Sequence, residues 1–211
     1  MIKFIIATIT MIVASSHLAA SKAIPKTEKT IEEEILRLDW KETGTYELPA
    51  SHSKISLPEN HMAAFGKDAQ HFNTLSGNPD KDEAIEAVVI GENYSTVYFE
   101  CYNDGYVSLD DWKEVDSKKF LEGVIESSEE TNKERRRQGI GELHVVGWLQ
   151  EPTLDRQSNT VYWAIEAEDS DSSRIVNSVA LRLGRKGFEK IVWVTERDSY
   201  VPFGGELDTR W

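Results

Sequence analysis

The sequence predicts an α+β fold in which an antiparallel C-terminal meander of about four strands is covered by one long helix. Four segments of strand-like character follow one another in the C-terminal half, with short connections rich in Gly, Ser, Asp and Asn. Short connections of this composition place consecutive strands antiparallel to each other. A long amphipathic helical segment precedes the four strands and can cover one face of the meander. A smaller section of strands and one helix comes before it.

Length and composition are those of one globular domain. The chain has 211 residues, of which 39% are hydrophobic and 29% are charged. The formal net charge of −13 repels phosphate backbones, so no nucleic-acid partner is expected. Such acidity favours solubility, and attraction of a cationic partner is the alternative. The single cysteine, Cys101, excludes an intramolecular disulfide.

The first 23 residues have the three-part layout of a secretory signal peptide. Lys3 gives a positive start, residues 4–14 form an almost unbroken apolar run, and small residues follow up to Ala23. The run is shorter than the roughly 20 apolar residues that a membrane span needs. We therefore expect cleavage after Ala20 or Ala23 and a periplasmic or secreted protein without a transmembrane segment in the mature chain. An uncleaved N-terminal membrane anchor is the alternative.

The mature chain is expected to divide into three parts: a charged arm or short helix at 24–45, one α+β domain at 46–196, and a tail at 197–211. In the smaller first section of the domain the patterns predict three strands and one helix. The strands are expected at 54–57, 84–90 and 95–102, and the helix at 67–75. The tripeptide Asn103-Asp104-Gly105 predicts a type I′ hairpin turn.

The long helix is predicted at 116–138 because both of its ends carry strong signals. Asp116 is a natural N-cap, and Val115 and Phe120 occupy the two positions of a hydrophobic staple. Gly139 supplies the C-cap, and the arginines at 135–137 complement the negative end of the helix dipole. The strands of the meander are predicted at 142–150, 160–168, 174–183 and 188–195.

The sequence contains no recognisable catalytic motif, and this favours a protein that is not an enzyme. The histidines lack zinc spacing, and no nucleophile elbow or phosphate-binding loop is present, so we expect no metal and no cofactor. Asp110, Asp111 and Asp155 lie in predicted loops or at strand ends. A pair of carboxylates in such places can serve as general acid and base.

Two tryptophans complete the set of candidate binding residues. Trp148 and Trp163 lie on consecutive predicted strands and face each other if the turn is centred near Asp155 and Arg156. Such a pair stabilises a sheet by up to about 1 kcal/mol. The alternative is an exposed aromatic platform for a sugar or an apolar peptide.

A series of short motifs runs in order from Gly105 to Gly187. They are Gly105-Tyr106-Val107, Asp110-Asp111, Asn132-Lys133-Glu134-Arg135, Gly147-Trp148, Pro152, Asp155, Tyr162-Trp163-Ala164, Asn177 and Leu183-Gly184-Arg185-Lys186-Gly187. In this order they resemble the bacterial family known as domain of unknown function 2167, whose members are exported and predicted to be membrane-anchored. The resemblance implies an envelope location and supplies no reaction, substrate or catalytic residue. Family members usually continue into hydrophobic C-terminal helices, which the sequence up to Trp211 does not contain.

The sequence therefore favours a non-enzymatic envelope protein that binds a protein or glycan partner. A hydrolase of envelope polymers that uses a carboxylate pair is the alternative. A concave site with two buried carboxylates would favour the enzyme, whereas a flat aromatic patch around Trp148 and Trp163 would favour binding.

Overall fold

The computed structural model describes residues 25–78, 82–91, 95–113 and 115–202, with side chains from residue 30 onward. The predicted signal peptide at 1–23 lies outside these ranges, as does 203–211 of the predicted tail. Three α-helices occur within the described ranges: Pro25–Leu36 (α1), Lys67–Leu75 (α2) and Ser117–Gln138 (α3). None of them has the length and apolar character needed to cross a bilayer.

The strands form one large sheet and one separate hairpin. In chain order they are Gly44–Leu48 (β1), Ser53–Leu57 (β2), Met62–Phe65 (β3), Ile85–Ile90 (β4), Thr96–Tyr102 (β5), Leu143–Asp155 (β6), Thr160–Asp169 (β7), Arg174–Leu183 (β8) and Phe188–Glu196 (β9). The sheet has seven strands in the order β3-β4-β5-β9-β8-β7-β6, and every neighbouring pair is antiparallel. Strands β1 and β2 pair only with each other.

The predicted fold class is confirmed. Strands β6 to β9 form the antiparallel meander, and helix α3 packs against it on the β6 side. The structure adds a long-range pairing, because β9 also pairs with β5, from Thr96 opposite Val194 to Tyr102 opposite Phe188. This pairing joins the meander to the N-terminal strands in one continuous sheet.

The two faces of the sheet are covered differently. One face, the helix face, carries the larger core cluster, in which Phe72 of α2 and Phe120 and Val124 of α3 are buried. On the other face, Leu48, Ile55 and Leu57 of the β1–β2 hairpin pack on residues of β3, β4, β5 and β9. The candidate tryptophans belong to the helix-face cluster.

The prediction of a hairpin turn at Asn103-Asp104-Gly105 is wrong. Residues 103–108 form no strand, although Gly105 does have a positive φ of 90°. Its backbone N–H donates to the carbonyl oxygen of Lys186 in the β8–β9 turn at 3.0 Å. The left-handed glycine therefore ties two connections of the sheet together instead of reversing the chain.

Both predicted caps of α3 are present. The Asp116 side chain accepts hydrogen bonds from the N–H groups of Lys118 and Lys119 at 3.1 Å. Gly139 ends the helix in the left-handed region with φ 72°. These bonds fix both ends of the helix that covers the meander.

Gly139→Ala is expected to lower the free energy of unfolding by about 1 kcal/mol, measured by urea denaturation. An added Cβ meets no heavy atom within 4 Å, so the loss comes from the left-handed backbone alone. Gly139→Asn is the matched control, because Asn tolerates this conformation and should lose less. An alanine variant as stable as the wild type would contradict the left-handed helix end.

Candidate functional site

The predicted pairing of Trp148 with Trp163 is wrong. In the β6–β7 hairpin Trp148 lies opposite Ile165, and the chain reverses through residues 156–159. Strand β6 continues through Pro152, where the sequence predicted a turn, and it contains three register shifts. These two features move the turn towards the C-terminus and change the register.

Both tryptophans instead contact Phe120 of α3. The Phe120 ring stacks on Trp148 with centroids 5.6 Å apart and meets Trp163 edge-on at 5.5 Å. Trp163 is 0% exposed and also stacks on Trp112 at 6.0 Å, so it cannot touch a partner. Trp148 is half-buried, and its indole N–H donates to the carbonyl oxygen of Ser117. Only part of Trp148 therefore remains available at the surface.

The three candidate aspartates lie on the surface of the same end of the molecule. Asp110 and Asp111 belong to the 3-10 helix Leu109–Trp112, and Asp155 begins the β6–β7 turn. Asp110 forms an ion pair with Lys113, and its Oδ1 is 3.8 Å from Nη2 of Arg156 in that turn. The structure thus brings Asp110 beside the Asp155 turn.

Neither Asp110 nor Asp155 is suited to donate a proton at neutral pH. The hydrogen bond from Lys113 and its positive charge lower the pKa of Asp110. Hydrogen bonds from the Ser158 hydroxyl at 2.6 Å and the Gln157 N–H at 2.8 Å lower the pKa of Asp155. A general acid needs a raised pKa, so these carboxylates offer charge and turn geometry rather than acid catalysis.

A buried charged cluster was missed by the sequence reasoning. Glu100 on β5 is 0% exposed and Lys190 on β9 is 2% exposed. The β5–β9 register places them opposite each other, with Lys190 Nζ 2.9 Å from Glu100 Oε2. The Tyr102 hydroxyl lies 2.6 Å from the same Glu100 oxygen and 2.7 Å from Asp82 Oδ2. We call these four residues the Glu100 cluster.

Burial dominates the electrostatics of the Glu100 cluster. Desolvation raises the pKa of Glu100 and that of Tyr102. The sequence signal was present: alternation along 96–102 places Glu100 on the same face as Tyr98 and Tyr102, which is the helix face. Because Glu100 is fully buried, no substrate reaches it in this structure.

Helix α3 runs antiparallel beside β6. At one end Trp148 contacts Ser117, and at the other Ser128 Oγ donates to the Leu143 carbonyl oxygen at 3.0 Å. Asn132 holds the Leu143 backbone on both sides, donating to its oxygen at 2.8 Å and accepting from its N–H at 2.9 Å. From Ser117 to Ser128 the helix rises about 16 Å, and from Trp148 to Leu143 the strand spans about the same length.

Each of these two elements carries one exposed aliphatic side chain. Ile125 of α3 is 38% exposed and Val146 of β6 is 48% exposed. The rises per residue place Val146 level with the helix turn between Leu121 and Ile125. One turn further along α3, Glu129 Oε1 lies 3.1 Å from His144 Nδ1. We call this surface the α3–β6 seam; its residues are Leu121, Ile125, Glu129, His144, Val146 and Trp148.

The described side chains contain no group of three or more His, Cys, Asp or Glu residues that could hold a metal ion.

No curated protein matches this chain. Among solved structures it is similar to the solution structure of cyanobacterial PsbP (CyanoP) from Synechocystis sp. PCC 6803, with 11% identity and a TM-score of 0.45 over 74% of this chain and 81% of that one. The model of the family described as "Protein of unknown function (DUF2167)" matches residues 40–209. Because this match spans most of the chain, the protein belongs to the DUF2167 family.

Proposed function

We propose that this protein is exported to the cell envelope and acts there by binding a protein partner, without catalysis, through the α3–β6 seam. The observation that carries the proposal is the exposure of Ile125 and Val146 on neighbouring elements that are firmly bonded to each other. Exposed aliphatic side chains mark a protein interaction site where they belong to one continuous apolar patch, and the bonds between α3 and β6 hold both side chains on one rigid surface.

A protein partner fits the seam better than a glycan does. Sugars are usually bound against the open face of an aromatic ring, yet Phe120 stacks on Trp148 and Trp163 is buried. The exposed side chains of the seam are aliphatic. Glu122 and Glu126 are also exposed on the turns of α3 that flank Ile125. The complementary partner surface therefore carries apolar side chains bordered by Lys or Arg.

Binding by side-chain contact fits the seam better than addition of a partner strand. Strand β6 is an edge strand, but its register shifts after Val145, Trp148 and Gln150 interrupt the regular row of backbone groups that a new strand needs. The backbone of Leu143 is already bonded to Asn132.

Crosslinking tests the seam. A photoreactive amino acid is placed at Ile125, at Val146 or at Leu36, which is 78% exposed on α1 and serves as the matched control. In the native host we expect the same protein adduct from positions 125 and 146 and none from position 36. Ile125→Glu should weaken binding of that partner about tenfold, because one buried aliphatic contact is lost and a carboxylate is introduced.

Other outcomes would overturn the proposal. Adducts with glycan alone, or equal adducts from all three positions, would contradict a protein site at the seam. Hydrolysis of envelope polymers that is lost in Asp155→Asn would favour the carboxylate-pair enzyme. For export, the intact mass of protein recovered from the host should lack about 20–23 residues, and a full-length mass in the membrane pellet would contradict cleavage.

A further inference from the structure

The Glu100 cluster contains a row of three oxygen atoms, and the usual protonation states of its residues supply too few protons for the two hydrogen bonds between them. The Tyr102 oxygen is 2.6 Å from Glu100 Oε2 and 2.7 Å from Asp82 Oδ2. Oxygen atoms this close are each joined by a proton. A tyrosine hydroxyl supplies only one proton, and an ionised carboxylate supplies none. One more proton is therefore needed on one of the two carboxyl groups.

We propose that the Glu100 cluster holds one shared carboxyl proton at neutral pH and acts as a proton-dependent latch on residues 82–84. With the proton bound, Glu100 is neutral and donates to the Tyr102 oxygen, and Tyr102 donates to the Asp82 carboxylate, which balances the Lys190 ammonium. When the proton leaves, Glu100 also becomes a carboxylate. Two carboxylates then share the single ammonium of Lys190 and repel each other across Tyr102.

The surroundings of Glu100 support a neutral carboxyl. Its Oε1 atom is buried and has no hydrogen-bond partner in the described part of the chain. An unpaired oxygen costs less in a neutral carboxyl than in a carboxylate. The titratable groups that face Glu100 among the described residues are Lys190, Tyr102, Tyr98 and Asp82. Desolvation raises the pKa of Glu100 and Asp82 adds to the rise, whereas Lys190 opposes it.

The latch joins the connection between α2 and β4 to the sheet. Asp82 Oδ1 accepts from the Ala84 N–H at 2.9 Å, and the Ala84 oxygen accepts from the Cys101 N–H at 2.9 Å. Gln70 of α2 donates to the Glu83 oxygen at 3.2 Å. Asp82 is the more exposed of the two acids, so residues 82–84 are the part that moves when repulsion develops.

The sign of the pH effect follows from the raised pKa of Glu100. A carboxyl whose pKa is higher in the folded state contributes stability below its ordinary pKa and loses it as the pH rises through the raised value. The thermal midpoint of the full-length protein should therefore fall as the pH rises, by about 3 °C or more. In Asp82→Asn the fall should be smaller, because the amide donates to Tyr102 without an extra proton.

Infrared spectroscopy gives a direct readout. At pH 7 the wild type should show the carbonyl band of a protonated carboxylic acid, and the band should vanish in Asp82→Asn and in Glu100→Gln. Glu189→Gln is the matched control, because burial also raises the pKa of Glu189, which lies outside the cluster. The cluster band should survive in that variant. Identical spectra for the wild type and Asp82→Asn at pH 7 would overturn the proposal, even if Glu100→Gln failed to fold.

Discussion

Lys190→Met is expected to lower the free energy of unfolding by about 3–5 kcal/mol at pH 8, measured by urea denaturation. The Lys190 side chain is 2% exposed, and its ammonium lies 2.9 Å from Glu100 Oε2. Methionine fills a similar straight volume but supplies no charge, so the buried carboxyl group of Glu100 loses its cation. Removing one partner of a buried ion pair costs far more than the pair itself contributes.

The pH dependence distinguishes this loss from a packing defect. Burial raises the pKa of Glu100, so the cluster carries less negative charge near pH 5 than at pH 8, and the Lys190→Met variant should recover much of its stability at the lower pH. Lys186→Met, an exposed position in the β8–β9 turn, is the matched control and should change little. Adding Glu100→Gln to Lys190→Met should restore part of the stability. An equal loss at both pH values would contradict the role of Lys190 as the counter-ion.

Local signals were sufficient for the elements that have strong ends. Helix α2 and strand β8 have the predicted bounds, and α3 has the predicted caps. Caps, turn residues and periodicity act within a few residues of each other, so a sequence displays them directly. Strands β1 and β3, of five and four residues, were not predicted.

These local signals do not predict which distant strands pair with each other. Glu100 and Lys190 are separated by 90 positions, and only the β5–β9 register brings them together. The same holds for Gly187, predicted only as a turn residue. A Cβ there would lie 1.7 Å from the Tyr102 carbonyl oxygen, so the close approach of the β8–β9 turn to β5 requires glycine.

The residues of the α3–β6 seam were beyond local signals for a related reason. No local pattern along β6 and β7 says which of Trp148 and Trp163 is covered by α3. The exposed pair Ile125 and Val146 was not singled out, because Val146 lies at a register shift that the alternation of β6 does not show. The Asp110–Arg156 contact likewise joins two loops that are distant in sequence.

Trp163→Ala is expected to lower the free energy of unfolding by about 3–5 kcal/mol, measured by urea denaturation with tryptophan-independent circular dichroism. Trp163 is 0% exposed and lies 6.0 Å from Trp112 and 5.5 Å from Phe120, ring centroid to centroid. Alanine leaves a large cavity beneath α3, and the surrounding rings can only partly close it.

Two further variants decide whether Trp163 belongs to the core or to a binding site. Trp163→Phe should lose much less than Trp163→Ala, because it keeps most of the ring and removes a buried indole N–H that has no partner among the described residues. Trp148→Ala should lose an intermediate amount, since that ring is only half-buried. A Trp163→Ala protein with wild-type stability but impaired partner binding would return this residue to the binding surface. If the folded fraction of Trp163→Ala binds the partner with wild-type affinity while the protein is less stable, Trp163 is a core residue. The seam around Ile125 and Val146 is then the surface that a partner meets.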